Sequence, residues 1–162
     1  MADARIGIVG AAGRMGMALV REIAGTPGAT LGGGIERAGH QGVGQDLGAL
    51  AGTEGRGVLL GHDALTLFAQ CDAVIDFTSP KATAEFAGLA AQGKCVYIVG
   101  TTGLEEAEHT ALRRAAAHTA IVQGFNMSLG VNLMASLVRQ VAAELGPDWD
   151  IEIVEMHHRM KV

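Results

Sequence analysis

Two histidines, an arginine and a lysine lie close together near the end of the 162-residue sequence, at His157, His158, Arg159 and Lys161. Four potential cations within five residues predict a local site for an anionic substrate. Histidine can also transfer a proton near neutral pH, which predicts acid–base chemistry at the same place. A solvated basic tail is one alternative. A zinc site is another, although adjacent histidines point apart on a strand and no further ligand motif completes such a site.

Three glycines follow the first apolar run at regular spacing. Gly10, Gly13 and Gly16 form a G-x-x-G-x-x-G pattern between the run Arg5–Val9 and an Ala-rich segment that begins at Arg14. In such a pattern the glycines allow a sharp turn, a close approach of the backbone to a pyrophosphate, and tight packing of helix on strand. The helix N-terminus offers N–H donors to the phosphates. The motif therefore predicts binding of a dinucleotide.

An acidic and a basic residue end the second apolar run. Glu36 lies 20 residues beyond Gly16 and is followed by Arg37. A carboxylate at this position can accept hydrogen bonds from the adenosine ribose hydroxyls, which favours NAD. The guanidinium of Arg37 could instead bind the 2′-phosphate of NADP. We therefore predict use of NADH, NADPH or both, and a solvated Glu–Arg pair is the alternative.

Small polar residues follow two later apolar runs. The segment Asp76–Pro80 comes after one of them, and the turn Gly100-Thr101-Thr102-Gly103 comes after the next. Open α/β sheets bind their ligands at the carboxyl ends of the strands. Phe77 and the Gly100–Thr102 turn are therefore predicted to line the nicotinamide or its ribose, with turn formation and capping as the alternative.

Strand-like and helix-like segments alternate along the chain. Apolar runs predict strands at Arg5–Val9, Ala29–Ile35, Val58–Gly61, Ala73–Phe77, Cys95–Val99, Ala120–Gln123 and Ile151–Met156. Ala-rich segments with helical spacing predict helices at Arg14–Ala24, Ala64–Gln70, Ala82–Gln92, Glu105–Ala117 and Val131–Leu145. This alternation predicts a parallel sheet with helices on both faces.

Several local features complete this prediction. Ser79 and Asp63 are expected to cap helices through their side chains, with Pro80 at a first helical position. The glycine-rich segment Gly39–Gly57 predicts a flexible loop without a good helix. The pattern changes near Gln123–Gly130, where Gly124, Asn126 and Gly130, with Asn132 just beyond, predict a hinge or domain boundary.

Composition excludes several classes of protein. Lys and Arg number 12 against 17 Asp and Glu, a net charge of -5, and aromatic residues make up only 4%, which argues against a nucleic-acid partner. No uncharged apolar run approaches the roughly 18 residues of a membrane span, and no signal peptide is visible. Cys71 and Cys95 lack C-x-x-C spacing and are predicted to be buried free thiols in a reducing, cytoplasmic protein.

Together these motifs resemble the dihydrodipicolinate reductase family, the nicotinamide-dependent reductases of bacterial and plant lysine (diaminopimelate) biosynthesis. The resemblance runs over the whole chain. It rests on Val9–Gly16, Glu36-Arg37, Asp76–Thr78, Val99–Gly103, Asn126–Asn132 and Glu155–Lys161. The first segment is shared by many dinucleotide-binding proteins, whereas a glutamate followed by H-H-R-x-K is much more specific.

The resemblance implies how the cofactor would be held. The pyrophosphate would lie on the turn made of Gly10, Ala11, Ala12, Gly13, Arg14 and Met15. Glu36 and Arg37 would hold the adenosine ribose, or its phosphate in NADPH. The nicotinamide half would contact Gly100, Thr101, Thr102, Gly124, Phe125, Asn126 and Met127.

The resemblance also implies the chemistry. His157 would be the acid–base group, Lys161 a proton donor, and His158 a ligand for a carboxylate of a small dicarboxylate substrate. The implied reaction transfers a hydride to a conjugated imine derived from 4-hydroxy-tetrahydrodipicolinate, with loss of water, and yields tetrahydrodipicolinate. No metal takes part in it.

The implied architecture has two parts. Residues 1–125 would form a Rossmann-type doubly wound parallel sheet. Residues 126–162 would form a hinge and the start of an α+β domain that binds substrate and builds a homotetramer. In the family H-H-R-x-K is followed by D-A-P-S-G-T, whereas this sequence stops at Val162, so we expect a fragment of a longer enzyme, inactive by itself. A non-catalytic nucleotide-binding module and another two-domain NAD(P)-dependent oxidoreductase, such as an amino-acid dehydrogenase, stay open as alternatives.

Overall fold

The computed structural model describes residues 2–156, which contain strands and helices in alternation. The strands are β1 (Ala4–Val9), β2 (Ala29–Ile35), β3 (Leu60–Gly61), β4 (Ala73–Asp76), β5 (Val96–Val99) and β6 (Ile121–Gln123). The helices are α1 (Arg14–Gly25), α2 (Leu47–Leu50), α3 (Ala64–Gln70), α4 (Pro80–Gly93), α5 (Glu106–Ala115) and α6 (Leu129–Leu145).

The six strands form one sheet in the order β3-β2-β1-β4-β5-β6, and each neighbouring pair is parallel. The strand order reverses beside β1, which lies between β2 and β4. This is the doubly wound arrangement of the Rossmann fold, which confirms the predicted fold class. Sheets of this kind bind ligands in the crevice at the carboxyl ends of the strands, next to the point of reversal.

Helices cover both faces of the sheet. One apolar cluster joins β4 and β5 to α3, α4 and α5, with Phe68 and Tyr97 fully buried. The other joins β1 to α1 and α2, with Ile8, Val20 and Leu47 at its centre. Each fully buried large aliphatic or aromatic side chain contributes about 1.5–3 kcal/mol.

Local capping bonds fix where several helices begin. Asp63 accepts a hydrogen bond from the Thr66 N–H at 3.3 Å, as its position predicts. Ser79 occupies the N-cap of α4 before Pro80, but its hydroxyl makes no capping bond, so that part of the prediction is wrong. The Ser79 carbonyl accepts from the Thr83 N–H at 2.9 Å as the first bond of the helical ladder, and Pro80 lies at the start of the helix, where its missing N–H would have no intrahelical partner anyway.

The segment between residues 39 and 57 contains a helix that the glycine-rich sequence does not predict. Helix α2 packs Leu47, only 1% exposed, into the core beside β1. The Asp46 carboxylate holds this segment by accepting hydrogen bonds from the N–H groups of Ala49, Arg56 and Gly57, at 2.7–3.1 Å. These bonds close a loop of about ten residues. Hydrophobic periodicity does not predict them, because they join residues that are far apart along the chain.

The chain divides into two compact units, residues 1–125 and residues 126–162. In the second unit the Ser128 hydroxyl caps α6 by accepting from the Val131 N–H at 3.4 Å. The strand predicted at Ile151–Met156 is wrong, because residues 151–156 pair with no strand within the described part of the chain. A strand is defined by hydrogen bonds to a neighbour, which an alternating sequence alone does not supply.

The two cysteines lie in the core of the first unit. Cys71 and Cys95 are free and at most 6% exposed, which confirms the prediction of buried thiols. Separately, none of the helices within residues 2–156 combines the length and the apolar character that crossing a bilayer requires.

Candidate cofactor-binding site

Two glycines of the turn after β1, Gly10 and Gly16, cannot be replaced without a change in backbone. Gly10 adopts a φ of +69°, in the left-handed region that favours glycine. A β-carbon on Gly16 would lie 2.6 Å from the Ala11 Cα, so helix α1 approaches the end of β1 too closely for any side chain. The turn therefore presents bare backbone at the carboxyl edge of the sheet, next to the reversal of strand order.

The N–H groups of this turn divide into two sets. The Ala11 N–H donates to the Ile35 carbonyl and the Gly13 N–H donates to the Gly10 carbonyl, each at 3.0 Å. These two donors hold the turn together and do not face a ligand. Gly13 is the N-cap of α1 and has no side-chain oxygen, so nothing in the cap competes for the first-turn donors such as the Met15 N–H. A helix N-terminus of this kind binds anions.

A cavity of about 350 Å³ opens beside the turn. It brings together Gly10, Glu36 and Arg37, which the sequence predicts as cofactor ligands. The Glu36 N–H donates to the Gly61 carbonyl at 3.0 Å, which ties the residues after β2 to those after β3. Because Ile35 pairs with Gly61, His62 leaves β3 beside Glu36 and lines the same cavity. The glutamate, which is half-buried, and the arginine, which is exposed, therefore line a partly open cavity with room for a ribose.

The remaining wall of the cavity comes from the residues after β4. Thr78 and Ser79 line it together with the apolar side chains of Ala82 and Phe86. The Thr78 methyl carbon would lie 2.9 Å from a β-carbon on Gly10, so this loop sits directly across from the glycine turn. The cavity thus combines apolar surface, which suits a flat base, with charged groups at one end.

The predicted nicotinamide ligands lie at the ends of β4, β5 and β6. Val99 pairs with Asp76 on one side and with Gln123 on the other, so Phe77, Gly100 and Gly124 leave the sheet at the same level. The Gly124 N–H donates to the Val99 carbonyl at 3.1 Å, and Phe125 beyond it is 72% exposed. Phe77 contacts Gly100 directly, while Thr102 is exposed and Thr101 is buried. These positions are distributed along one edge of the sheet.

A buried carboxylate lies beneath this edge. Asp76 is 0% exposed, and its Oδ1 accepts from the Thr78 N–H at 2.8 Å and from the Thr78 hydroxyl at 2.6 Å. Its Oδ2 accepts from the Thr83 hydroxyl at 2.7 Å and from the Tyr97 hydroxyl. The Thr101 Oγ1 lies 3.0 Å from the Thr83 Oγ1 and 3.3 Å from the Asp76 Oδ1, and it accepts from the Thr78 N–H at 3.1 Å. We call these five residues, Asp76, Thr78, Thr83, Tyr97 and Thr101, the Asp76 network.

The Asp76 network is fully hydrogen-bonded, and no buried side-chain nitrogen or oxygen elsewhere in residues 2–156 lacks a partner. Burial, and then the nearby Asp76 carboxylate, raise the pKa of Tyr97 far above its ordinary value. The tyrosine therefore stays protonated and remains a donor to the carboxylate.

Two predicted cofactor ligands belong to the second unit. Asn126 Oδ1 accepts from the Ser128 N–H at 2.8 Å, and the Asn126 carbonyl accepts from the Asn132 side chain at 2.7 Å. Asn126 and Met127 are exposed at the start of this unit. The predicted catalytic residues His157 and Lys161 and the predicted substrate ligand His158 lie outside the described residues.

Sequence reasoning overlooked Asp76 and His62 as members of the site. Asp76 carries a readable signal, since a carboxylate at the end of an apolar strand needs buried partners, and Thr78 follows two residues later. Its other partners, Thr83 and Tyr97, are distant in sequence and required the fold. His62 gave no signal, because only the pairing of β2 with β3 places it in the cavity.

Comparison with known proteins finds relatives that match the chain over its whole length. Residues 4–127 match the family model for dihydrodipicolinate reductase, N-terminus, and residues 130–162 match the model for dihydrodipicolinate reductase, C-terminus. The chain is 52% identical over 162 residues to a 4-hydroxy-tetrahydrodipicolinate reductase of Rhizobium meliloti, a match that covers 100% of the chain and 67% of the relative. It is 54% identical over 162 residues to the enzyme of that name from Parvibaculum lavamentivorans, covering 99% of the chain and 60% of the relative.

Among solved structures, a dipicolinate-bound dihydrodipicolinate reductase from Paenisporosarcina sp. TG-14 matches with a TM-score of 0.71 at 20% identity. That match covers 87% of this chain and 54% of the other, and it supports the fold. The chain thus spans roughly two thirds or less of the length of these relatives, and both family models match it in order. The chain belongs to the dihydrodipicolinate reductase family.

Proposed function

We propose that this chain supplies the nucleotide-binding part, and the first wall of the substrate site, of an NAD(P)H-dependent oxidoreductase. The reaction is the reduction of 4-hydroxy-tetrahydrodipicolinate to tetrahydrodipicolinate in the diaminopimelate pathway to lysine. Membership of the family and relatives named 4-hydroxy-tetrahydrodipicolinate reductase support this reaction. In this proposal residues 1–125 hold the cofactor, and residues 126–162 begin the substrate-binding domain.

The observation that carries the proposal is the glycine turn beside the charged cavity. Gly10 turns the chain with a φ of +69°, Gly16 lets α1 pack closely against the end of β1, and the N–H donors at the N-terminus of α1 suit a pyrophosphate. Glu36 and Arg37 line the adjoining cavity at the distance along the chain that a ribose requires. A bound nicotinamide cofactor would supply the hydride, and the protein orients it and excludes competing reactions.

Cofactor choice depends on Glu36 and Arg37 in this proposal. The Glu36 carboxylate accepts hydrogen bonds from the ribose diol of NADH, and the Arg37 guanidinium binds the 2′-phosphate of NADPH. Both residues line the same cavity, which supports use of both cofactors. The 2′-phosphate of NADPH would be repelled by the Glu36 carboxylate and attracted by the Arg37 guanidinium. The preference for NADH or NADPH is therefore set by these two residues.

The chemistry at the substrate rests on His157, His158 and Lys161. Reduction of a conjugated imine requires a proton as well as a hydride, and His157 and Lys161 are proposed to hold and deliver that proton. His158 is proposed to bind a substrate carboxylate. The substrate is a dicarboxylate, so a cluster of cations also stabilises its charge.

We further infer that the whole enzyme is a homotetramer that acts in the cytoplasm. The buried free thiols Cys71 and Cys95 support a reducing compartment. The tetramer follows from the family resemblance and is tested by the molar mass of the purified enzyme in solution.

The proposed function is tested by oxidation of NADH and NADPH in the presence of freshly generated 4-hydroxy-tetrahydrodipicolinate, with the enzyme produced from its whole reading frame. The variants His157→Gln and Lys161→Ala should lower turnover by about 100-fold or more and leave cofactor affinity within about 2-fold. His118→Gln, on an exposed residue after α5, is the matched control and should retain full activity. Absence of turnover in the wild-type enzyme would overturn the reductase assignment, and tight NADH binding without turnover would favour a non-catalytic nucleotide-binding module.

A further inference from the structure

The Asp76 network joins the two loops that border the proposed nicotinamide half. One loop follows β4 and carries Phe77 and Thr78, and the other follows β5 and carries Gly100–Thr102. The last backbone hydrogen bond between β4 and β5 runs from the Gly100 N–H to the Asp76 carbonyl, at 2.8 Å. Among the described residues, no further backbone hydrogen bond joins the two loops. Past this point their relative position depends on side chains.

Asp76 supplies most of those side-chain bonds. Its two oxygens accept from Thr78 on the first loop, from Thr83 on α4 and from Tyr97 on β5. Thr101 on the second loop completes the connection, because its hydroxyl oxygen contacts Thr78, Thr83 and Asp76 at 3.0–3.3 Å. Removal of one donor takes a hydrogen bond from a buried carboxylate and loosens the link between the two loops, because such bonds are strong in a low-dielectric interior.

This geometry also distinguishes Thr101 from its neighbour. Thr101 is 5% exposed and its hydroxyl oxygen is used inside the Asp76 network, whereas Thr102 is exposed. The Thr101 side chain therefore anchors the turn to the protein interior. Of these two threonines, Thr102 is the one whose side chain can contact a cofactor.

We propose that Asp76 is a positioning residue: it sets the relation between the Phe77–Thr78 segment and the Gly100–Thr102 turn, and so the geometry offered to the nicotinamide half of the cofactor. This inference rests on the proposed function, since it concerns the same site. Asp76 itself does not reach a cofactor bound at this edge, because both its oxygens accept hydrogen bonds within the network and the residue is 0% exposed.

The test compares a whole cofactor with one that lacks the nicotinamide. Thr83→Val removes one donor to Asp76 with little change in shape, and Tyr97→Phe removes another while it keeps the ring that packs on Phe68. Both variants should weaken NADH binding about 10-fold, because each removes a hydrogen bond that fixes the two loops relative to each other, and weaken ADP-ribose binding about 3-fold or less. Calorimetry gives the affinities, and NADH fluorescence reports the surroundings of the bound nicotinamide.

Thr119→Val is the matched control. The Thr119 hydroxyl donates to the Cys95 carbonyl at 2.8 Å, at the amino-terminal end of β5 and thus at the opposite edge of the sheet. This variant should lower the melting temperature by a similar amount and leave both affinities unchanged. Asp76→Asn provides a further check, since the amide keeps the shape and one acceptor, and its effect on NADH should again exceed its effect on ADP-ribose.

The outcomes distinguish the proposed function from the positioning role of Asp76. A wild-type protein that binds neither NADH nor NADPH overturns the proposed function and the role of Asp76 together. A wild-type protein that binds NADH, with variants that lose NADH and ADP-ribose affinity equally or lose neither, overturns the positioning role alone.

Discussion

The ring of Phe77 lies directly against the backbone of Gly100. A β-carbon on Gly100 would come within 2.6 Å of Cδ1 of the ring and closer still to Cε1 and Cζ. The two residues follow neighbouring strands, since Asp76 pairs with Val99, and both belong to the proposed nicotinamide half. The Phe77 ring therefore occupies the space that a side chain at position 100 would need. Only glycine at that position lets the ring lie at this edge of the sheet.

Gly100→Ala should displace the Phe77 ring and weaken NADH binding. We expect a loss of about tenfold in affinity, equivalent to about 1.4 kcal/mol, measured by calorimetric titration. The control is Gly88→Ala, in the exposed middle of α4, where a β-carbon would meet nothing within 4 Å. That change should stabilise the fold by about 0.5–1 kcal/mol and leave affinity unchanged. Unaltered NADH binding by Gly100→Ala would remove Phe77 and Gly100 from the site.

Glu36→Ala and Arg37→Ala should shift cofactor preference in opposite directions. Loss of the carboxylate removes an acceptor for the ribose diol, so the affinity for NADH should fall about 10-fold and that for NADPH by less. Loss of the guanidinium should reverse this pattern, because a charge-assisted bond to the 2′-phosphate disappears. Arg114→Ala, on the exposed end of α5, serves as the control. Equal effects on both cofactors would show that neither residue reads the ribose.

Stability should fall in alkaline solution because of a buried thiol. Burial raises the pKa of Cys95 from 9.0 to about 12, so the folded protein keeps a proton that the unfolded chain releases. Stability from this group is complete below pH 9 and is lost as the pH rises from 9 towards 12. Denaturant titrations across this range should show a shallower decline for Cys95→Ala than for the wild type. Identical slopes would mean that the thiol does not titrate in the way its burial predicts.

Asp46 should control the order of the segment around α2. Hydrogen bonds from backbone N–H groups, that of Ala49 first, lower the pKa of Asp46, so its contribution is present above the ordinary value and is lost as the pH falls through the lowered one. Asp46→Ala should speed hydrogen exchange at the Arg56 and Gly57 amides, which donate to this carboxylate at 2.7–3.1 Å. Asp63→Ala, which removes the cap of α3, should leave those two amides protected. Unchanged exchange in Asp46→Ala would contradict its role in holding the segment.

The sheet and the glycine turn could be predicted from sequence because their determinants are local. The strand ends at Val9 and Ile35 follow from short apolar runs, and the turn at Gly10 follows from glycine spacing beside them. Helix α2 could not be predicted in this way, since Asp46 bonds to residues ten and eleven positions further along the chain. The strand predicted after residue 150 failed for the related reason that alternation supplies no pairing partner.

The candidate site was only partly predictable, for the same physical reason. Glu36 and Arg37 stand beside a motif and could be named from spacing. The Asp76 network depends on β4, β5 and α4 meeting at one edge, and His62 depends on the pairing of Ile35 with Gly61. Such contacts depend on which strands and helices lie next to each other. The sequence pattern predicts the class of fold but not these individual contacts.

The most direct test of the account is a crystal structure of the enzyme with NADPH. We predict the pyrophosphate at the N-terminus of α1 beside Gly10, the adenosine ribose between Glu36 and Arg37, and the nicotinamide ring beside Phe77 and the Gly100–Thr102 turn. A nucleotide bound elsewhere, or a glycine turn that contacts no phosphate, would contradict the proposed site and the function that rests on it.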